Sequence, residues 1–282
     1  MELISFSTPD EFLRRTRATL ERDEPRNHLI LGIALTLQRG SPAYQRRPYL
    51  ALVGHAGEPV LIALMTPPFN LVLAGDAGTA EPAAQLLVED LVAGGWPVPG
   101  VLAPVPLADA LASAWHRRTG EPVRVGMDQR AYALRRVRPV APSPGRLRPA
   151  APPDLLLAAA WIESFHREFQ IERSSIDARE MAQNRIQDRT LYLWEHGRPV
   201  SMAASSRPTA HGVSVSLVYT PPAERGRGYA TSCVAALSRR LLAAGSDWVS
   251  LFTDLSNPTS NAIYQRIGYR PVADFRDYHF GD

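Results

Sequence analysis

The sequence predicts an α+β chain built as two copies of one fold. Three observations carry that reading. The predicted elements run helix, helix, several strands, helix, strand, helix, strand up to Val137, and the same order begins again at Asp154. Between them lies Arg138 to Pro153, R-P-V-A-P-S-P-G-R-L-R-P-A-A-P-P. Proline at that density continues neither a helix nor a central strand, so the segment reads as an extended linker. Finally, Gly57-Glu58-Pro59-Val60 matches Gly197-Arg198-Pro199-Val200 at an offset of 140 residues, and farther on Trp96 pairs with Trp248. The expected organisation is a first domain over 1–137, a Pro/Arg-rich linker over 138–153 and a second domain over 154–282.

Each element has a local reason. Thr8-Pro9-Asp10-Glu11 forms a capping box with Pro at the first helical position, leading into Phe12, Leu13 and Leu20. Asn27 to Leu37 is a second, apolar helix. Tyr49–Val53, a turn at His55–Glu58, and Val60–Met65 read as a hairpin, with Asn70–Ala74 as a further strand. Glu81–Val92 is helical, Val98–Leu102 a short strand, Leu107–Arg117 a helix and Ala131–Val137 a closing strand. In the second half Asp154 caps a helix to about Phe169, and Asp177 with Glu180 caps the next, over Met181–Ile186. Leu191–Glu195 and Val200–Ser205 flank a turn at His196-Gly197.

The second half turns on Val213 to Gly228, V-S-V-S-L-V-Y-T-P-P-A-E-R-G-R-G. Val213, Val215, Leu217 and Tyr219 alternate with Ser214, Ser216, Val218 and Thr220, the period of a strand. Pro221 and Pro222 end it. After Arg225-Gly226-Arg227-Gly228, the residues Ala230, Cys233, Val234, Leu237, Leu241 and Ala244 share one helix face. A strand, a Gly/Arg turn and a helix start make an anion site: the first turn has unpaired N–H groups and partial positive charge, and glycines let a bulky group approach. A Walker loop would need Lys followed by Ser or Thr, which this stretch lacks. A dinucleotide fingerprint would need a third glycine or alanine where Thr231 stands.

The remaining pattern is R-x-x-G-x-A, filled by Arg225, Gly228 and Ala230, and it resembles the pyrophosphate loop of the GNAT acyl-CoA N-acyltransferases. Downstream, the strand Trp248–Thr253 precedes Asn257-Pro258-Thr259-Ser260-Asn261-Ala262-Ile263-Tyr264-Gln265-Arg266-Ile267-Gly268-Tyr269. That is similar to the family's second signature: Asn, a helix carrying Tyr seven residues later, then Gly-aromatic. Asn257 and Gly268 also have ordinary roles as helix cap and helix end, and Tyr264 as a core aromatic.

The resemblance implies two tandem GNAT-like domains, each a mixed, mostly antiparallel sheet flanked by helices, with splayed strands that take acyl-CoA in the C-terminal copy. The cosubstrate it implies is acetyl-CoA, with no metal. Val218, Tyr219 and Thr220 would run beside the pantetheine arm. Main chain from Gly226 through Arg227, Gly228, Tyr229 and Ala230 to Thr231 would take the pyrophosphate, with the Arg225 and Arg227 side chains as additions. Asn257 would contact the arm from the other side, and Tyr264 would be the general acid that protonates the leaving thiolate. Glu163 and Glu168, on the helix that flanks the acceptor in this fold, are weak candidates for the base, as are Glu172, Glu195, His166 and His211. The first half reads as a degenerate copy: Ala74-Gly75-Asp76-Ala77-Gly78-Thr79-Ala80 has no Arg, and Asp76 would oppose a pyrophosphate.

Composition narrows the rest. The 282 residues carry 31 basic groups, every one Arg, against 28 acidic, a net charge of +3. So small and dispersed an excess does not imply nucleic acid. The one cysteine, Cys233, lies on an apolar helix face and reads as a small core hydrophobe, and a single thiol permits no disulfide within the chain. The sequence shows no charged-then-apolar leader and no long apolar run, so the expected setting is cytoplasmic, with no membrane partner. The expected acceptor is a small-molecule primary amine. The alternative is an acyl-CoA-binding regulatory or structural protein without catalysis.

Overall fold

The structure is a computed structural model that describes residues 1–40, 46–169 and 177–281. They divide into two compact units. One holds Met1–Ala131, Thr253–Ser256 and Pro271–Asp282, the other Tyr132–Phe252 and Asn257–Arg270.

In chain order the first half gives β1 (Glu2–Ser5), α1 (Pro9–Glu21), α2 (Glu24–Gln38), β2 (Tyr49–His55), β3 (Glu58–Met65), β4 (Leu71–Gly75), α3 (Ala80–Ala93), β5 (Gly100–Pro104), α4 (Val105–Thr119) and β6 (Val123–Leu134). The second gives β7 (Arg146–Pro149), α5 (Leu155–Glu168), α6 (Ala178–Gln187), β8 (Leu191–His196), β9 (Arg198–Ser206), β10 (Gly212–Tyr219), α7 (Tyr229–Ala243), β11 (Trp248–Asp254), α8 (Pro258–Ile267) and β12 (Arg270–Phe280). The two lists match element for element, which makes the tandem α+β reading concrete. Thr8 caps α1 and Asp177 caps α6 by accepting from the amides of Glu11 and Glu180.

In the first unit the strands are sandwiched between two helix layers. Residues of β2 and β3 alternate between them: Tyr49, Ala51, Leu61 and Ala63 pack with α3 and α4, while Leu50, Ile62 and Leu64 pack with α1 and α2. Burial on both faces explains why these strands read as continuous apolar runs. The second unit repeats the scheme. Tyr192 and Trp194 face α7 and α8, and Leu191 and Leu193 face α5 and α6.

Five features depart from the sequence reading. β1 was not foreseen. β7 lies inside the segment read as linker and pairs antiparallel with β8, from Arg146↔Glu195 to Pro149↔Tyr192. It is the edge strand of its sheet, where a proline's missing N–H is tolerated. β6 starts at Val123 rather than Ala131. The boundary at 137/154 also does not follow the units, because β12 pairs with β5, from Phe275↔Pro104 to His279↔Gly100, and so belongs to the first unit. The end of β6, Tyr132–Leu134, belongs to the second, beside β11. Trp96 precedes β5 and packs edge-on against Tyr49, whereas Trp248 begins β11 and is fully buried, so the two tryptophans are not equivalent.

Candidate functional site

β10 and β11 are parallel neighbours for three residues only: Gly212↔Trp248, Val213↔Val249 and Ser214↔Ser250. Both strands then run on, to Tyr219 and Asp254, without further pairing to each other. The gap opens at their C-terminal ends, the side where α/β sheets hold ligands.

β10 changes character where the gap opens. Its partners on β9 step from Ser216↔Ala204 to Tyr219↔Met202, three residues against two, which is a β-bulge. Leu217 sits at φ +50, a left-handed conformation that is rare for a bulky side chain and marks stored strain. The extra residue flips the strand's faces. Val213 and Val215 pack with α7, but Leu217 and Tyr219 pack with α5 and α6. The even alternation read from the sequence therefore breaks at the bulge. Buried Ser201 of β9 anchors the distorted stretch: its Oγ donates to the Tyr219 carbonyl at 3.1 Å and accepts from Thr220 Oγ1 at 2.9 Å. Trp161 of α5 packs over Tyr219 with ring centroids 6.2 Å apart. Val218 and Thr220 are half-buried.

A single 3-10 turn, Pro222–Glu224, then leads into Arg225–Gly228, all four of whose residues are exposed. Gly226 and Gly228 have φ +77 and +76, the left-handed region that glycine enters without penalty. Gly228 is the N-cap of α7 and supplies no side-chain cap. The first helical bond runs from the Ser232 amide to the Gly228 carbonyl at 3.0 Å, so the amides of Tyr229, Ala230 and Thr231 precede the helix's own ladder.

The two arginines of the loop are engaged with carboxylates. Arg225 Nη2 meets Glu168 Oε2 at 2.6 Å, its Nε donates to the Thr220 carbonyl at 2.9 Å, and its guanidinium lies 5.9 Å from the Tyr219 ring centre. Arg227 Nη1 meets Glu224 Oε2 at 3.1 Å, and Arg198 Nη2 meets the other oxygen of Glu224 at 2.6 Å. Glu224 is buried although it lies between exposed residues. An anion on this loop thus faces main chain first, not a pair of free guanidinium groups.

On the other side of the gap, Asn257 Oδ1 accepts from the Ser260 amide at 3.0 Å and caps α8. Tyr264, the seventh residue of that helix, is 7 % exposed, with ring centroids 6.5 Å from Tyr132 and 6.0 Å from Tyr269. Among the described residues its hydroxyl has no hydrogen-bond partner, whereas Tyr269's is bonded to Ser238 at 2.8 Å. Burial pushes the Tyr264 phenol well above its ordinary pKa, so it stays protonated at neutral pH.

The carboxylates read as candidate bases fare differently. Glu163 is exposed on α5. Glu168 is the partner of Arg225. Glu195 is held below the usual carboxylate range by Arg148 and Arg146, in a network that also binds Asp154. Glu172 lies outside the described residues. His166 is half-buried, and burial lowers its pKa. Ser201 and Glu224 were missed by the sequence reading. The only signal for Glu224 was an acidic residue beside two arginines; for Ser201 there was none.

The corresponding place in the first unit is built differently. β4 and β5 also pair briefly, Leu71↔Val101 and Val72↔Leu102. There, however, Asp76 Oδ1 accepts the Gly78 amide at 3.1 Å, so a carboxylate occupies an amide that an anion would use. The N-cap of α4 is Pro104, and its seventh residue is the fully buried Leu111 instead of a tyrosine. Among the described residues no cluster of metal-ligating side chains occurs, and no helix is long and apolar enough to cross a membrane.

The FR47-like protein family matches residues 195–277. No curated protein matches the sequence. Solved structures do. A Drosophila protein from structural genomics superposes with TM-score 0.70 at 12 % identity, covering 99 % of this chain and 98 % of that one. A GCN5-related N-acetyltransferase from Sphaerobacter thermophilus gives 0.63 at 17 %, covering 99 % and 95 %. A tandem GNAT protein from the clavulanic acid biosynthesis pathway gives 0.58 at 14 %, covering 99 % and 98 %. Element order, strand splay and these likenesses together establish that the chain has the tandem GNAT fold, with the FR47-like match confined to its second half.

Proposed function

We propose that the protein is an N-acetyltransferase that moves an acetyl group from acetyl-CoA to the primary amine of a small molecule, by direct attack within a ternary complex. The observation that carries this reading is the parting of β10 and β11 after Ser214 and Ser250, with a bulge on one lip and an uncapped helix start below it. The pantetheine arm enters the gap beside Val218, Tyr219 and Thr220, with Asn257 on the opposite side. The pyrophosphate lies on the amides of Gly226 to Thr231. GNAT proteins among the structural neighbours are acetyltransferases by description, which supports the reaction class.

In this reading the neutral amine attacks the thioester carbon and a C–N bond forms. The carbonyl oxygen takes the negative charge, which a main-chain N–H at the bulge stabilises. Here the strained Leu217 has a use: the bulge it forms interrupts the ladder with β9 before pairing resumes at Tyr219↔Met202, which leaves main chain there for the thioester. The C–S bond then breaks, and the leaving thiolate takes a proton from the Tyr264 hydroxyl, which solvent replaces. The amine's own proton leaves to water. We assign neither Glu163 nor Glu168 as base, since one is exposed and the other is held by Arg225. No covalent acyl-enzyme forms, and no step runs through a metal.

The test is free-thiol release from acetyl-CoA across a panel of primary amines. Tyr264→Phe is expected to lower kcat by roughly 10²- to 10⁴-fold, the usual worth of a positioned acid. It should leave acetyl-CoA affinity within about twofold. Unchanged turnover in that variant would mean that another group donates the proton.

A further inference from the structure

The phosphate cradle has a neighbour that no motif includes. Residues 138–145, part of the stretch read as a loose linker, form a strap tied at several points within the second unit. The Arg138 amide donates to the Ile267 carbonyl at 2.8 Å. The Pro144 carbonyl accepts from Trp194 Nε1 at 3.0 Å. Gly145, at φ +122, passes so close to β8 that a Cβ there would lie 2.5 Å from the Glu195 carbonyl oxygen. Ser143 touches the cradle itself. Its amide donates to Ser232 Oγ and its Oγ donates to the Arg227 carbonyl, both at 2.8 Å.

The second bond matters because of what a peptide unit is. In a planar trans peptide the C=O and the N–H point to opposite sides. Ser143 draws the Arg227 carbonyl toward the strap, so the Gly228 N–H of the same peptide faces away from it, toward the exposed side of the loop. With the plane turned over, a carbonyl oxygen would confront the anion. Glycine on both sides of Arg227, at positive φ, makes such a flip easy in an unsupported loop.

We propose that Ser143 is a positioning residue of the cofactor site, holding the 227–228 peptide in the orientation that presents an N–H to phosphate. The inference rests on the acetyl-CoA reading given above. It also gives Gly228 a second reason to be glycine: a Cβ there would stand 2.7 Å from Ser143 Oγ.

The experiment titrates the full chain with two ligands, acetyl-CoA by calorimetry and S-acetylpantetheine, which has no pyrophosphate, by ligand-observed NMR. Ser143→Ala is expected to weaken acetyl-CoA about fivefold, one hydrogen bond's worth, and to leave S-acetylpantetheine unchanged. Gly228→Ala is expected to bind acetyl-CoA more weakly than the Gly228→Ala, Ser143→Ala double variant, in which the clash is gone. Unchanged acetyl-CoA affinity in Ser143→Ala, equal weakening of both ligands, or additive losses in the double variant would each overturn the proposal while leaving the acyl-CoA reading in place. Failure of the unmodified chain to bind acetyl-CoA would remove that reading, and the role of Ser143 with it.

Discussion

Replacing Phe280 by alanine is expected to loosen the first unit, although Phe280 lies near the end of the second repeat. Its ring stacks on Trp115 of α4 at 5.0 Å and an interplanar angle of 11°, and only 7 % of the residue is exposed. Its amide is tied to the Pro99 carbonyl at 3.0 Å. Truncating a buried Phe costs ~3–5 kcal/mol, and the lower end of that range, ~3 kcal/mol, is the figure used. At 1.4 kcal/mol per factor of ten, amides that exchange through opening of that unit should do so roughly a hundredfold faster. Hydrogen exchange read by mass spectrometry on the full chain checks this. The rise belongs in peptides from β4, β5 and α4, with β8, β9 and α7 unchanged. Faster exchange confined to β10, β11 and α7 would refute the assignment of β12 to the first unit.

Two other predictions concern ionisable groups. Cys233 is fully buried and its thiol is pushed up to about 12 by desolvation, so iodoacetamide should leave the native chain unlabelled and react fully once it is unfolded; stoichiometric native labelling would contradict the packing. Arg148, hydrogen-bonded to Asp154, holds its carboxyl below the ordinary 3.8. A depressed carboxyl pKa stabilises the fold above the unfolded value, and that contribution is lost as pH falls through the folded one. The urea midpoint should therefore drop below about pH 4, and less steeply in Arg148→Ala; equal slopes would show that the pair is not responsible.

The sequence conveyed the architecture because its signals are local. Thr8 and Asp177 sit where their side chains meet an amide three residues on, and Gly226, Gly228 and Gly268 stand at positive φ. The chain's exchange of last strands was illegible for the converse reason. β12 carries apolar residues that would suit either unit, and its pairing with β5, from Phe275↔Pro104 to His279↔Gly100, places it in the first. The edge strand β7 was hidden by its prolines. The bulge at Leu217 was hidden by an alternation that continues unbroken in the letters while the backbone inserts an extra residue. The candidate site was legible where it rests on motif positions, Gly228, Asn257 and Tyr264. It was illegible where it rests on contacts across the chain: Ser143 with Arg227, Ser201 with Tyr219, and Arg225 with Glu168, a pair that turns a presumed phosphate ligand and a presumed base into each other's partner.

The central claim is that one acyl-CoA site exists, in the second unit. Calorimetric titration of the full chain with acetyl-CoA tests it most directly, alongside Gly228→Glu, which places bulk and negative charge on the cradle. The account predicts one site per chain, abolished in the variant. No binding to the unmodified chain, a second site, or undiminished affinity in Gly228→Glu would contradict it.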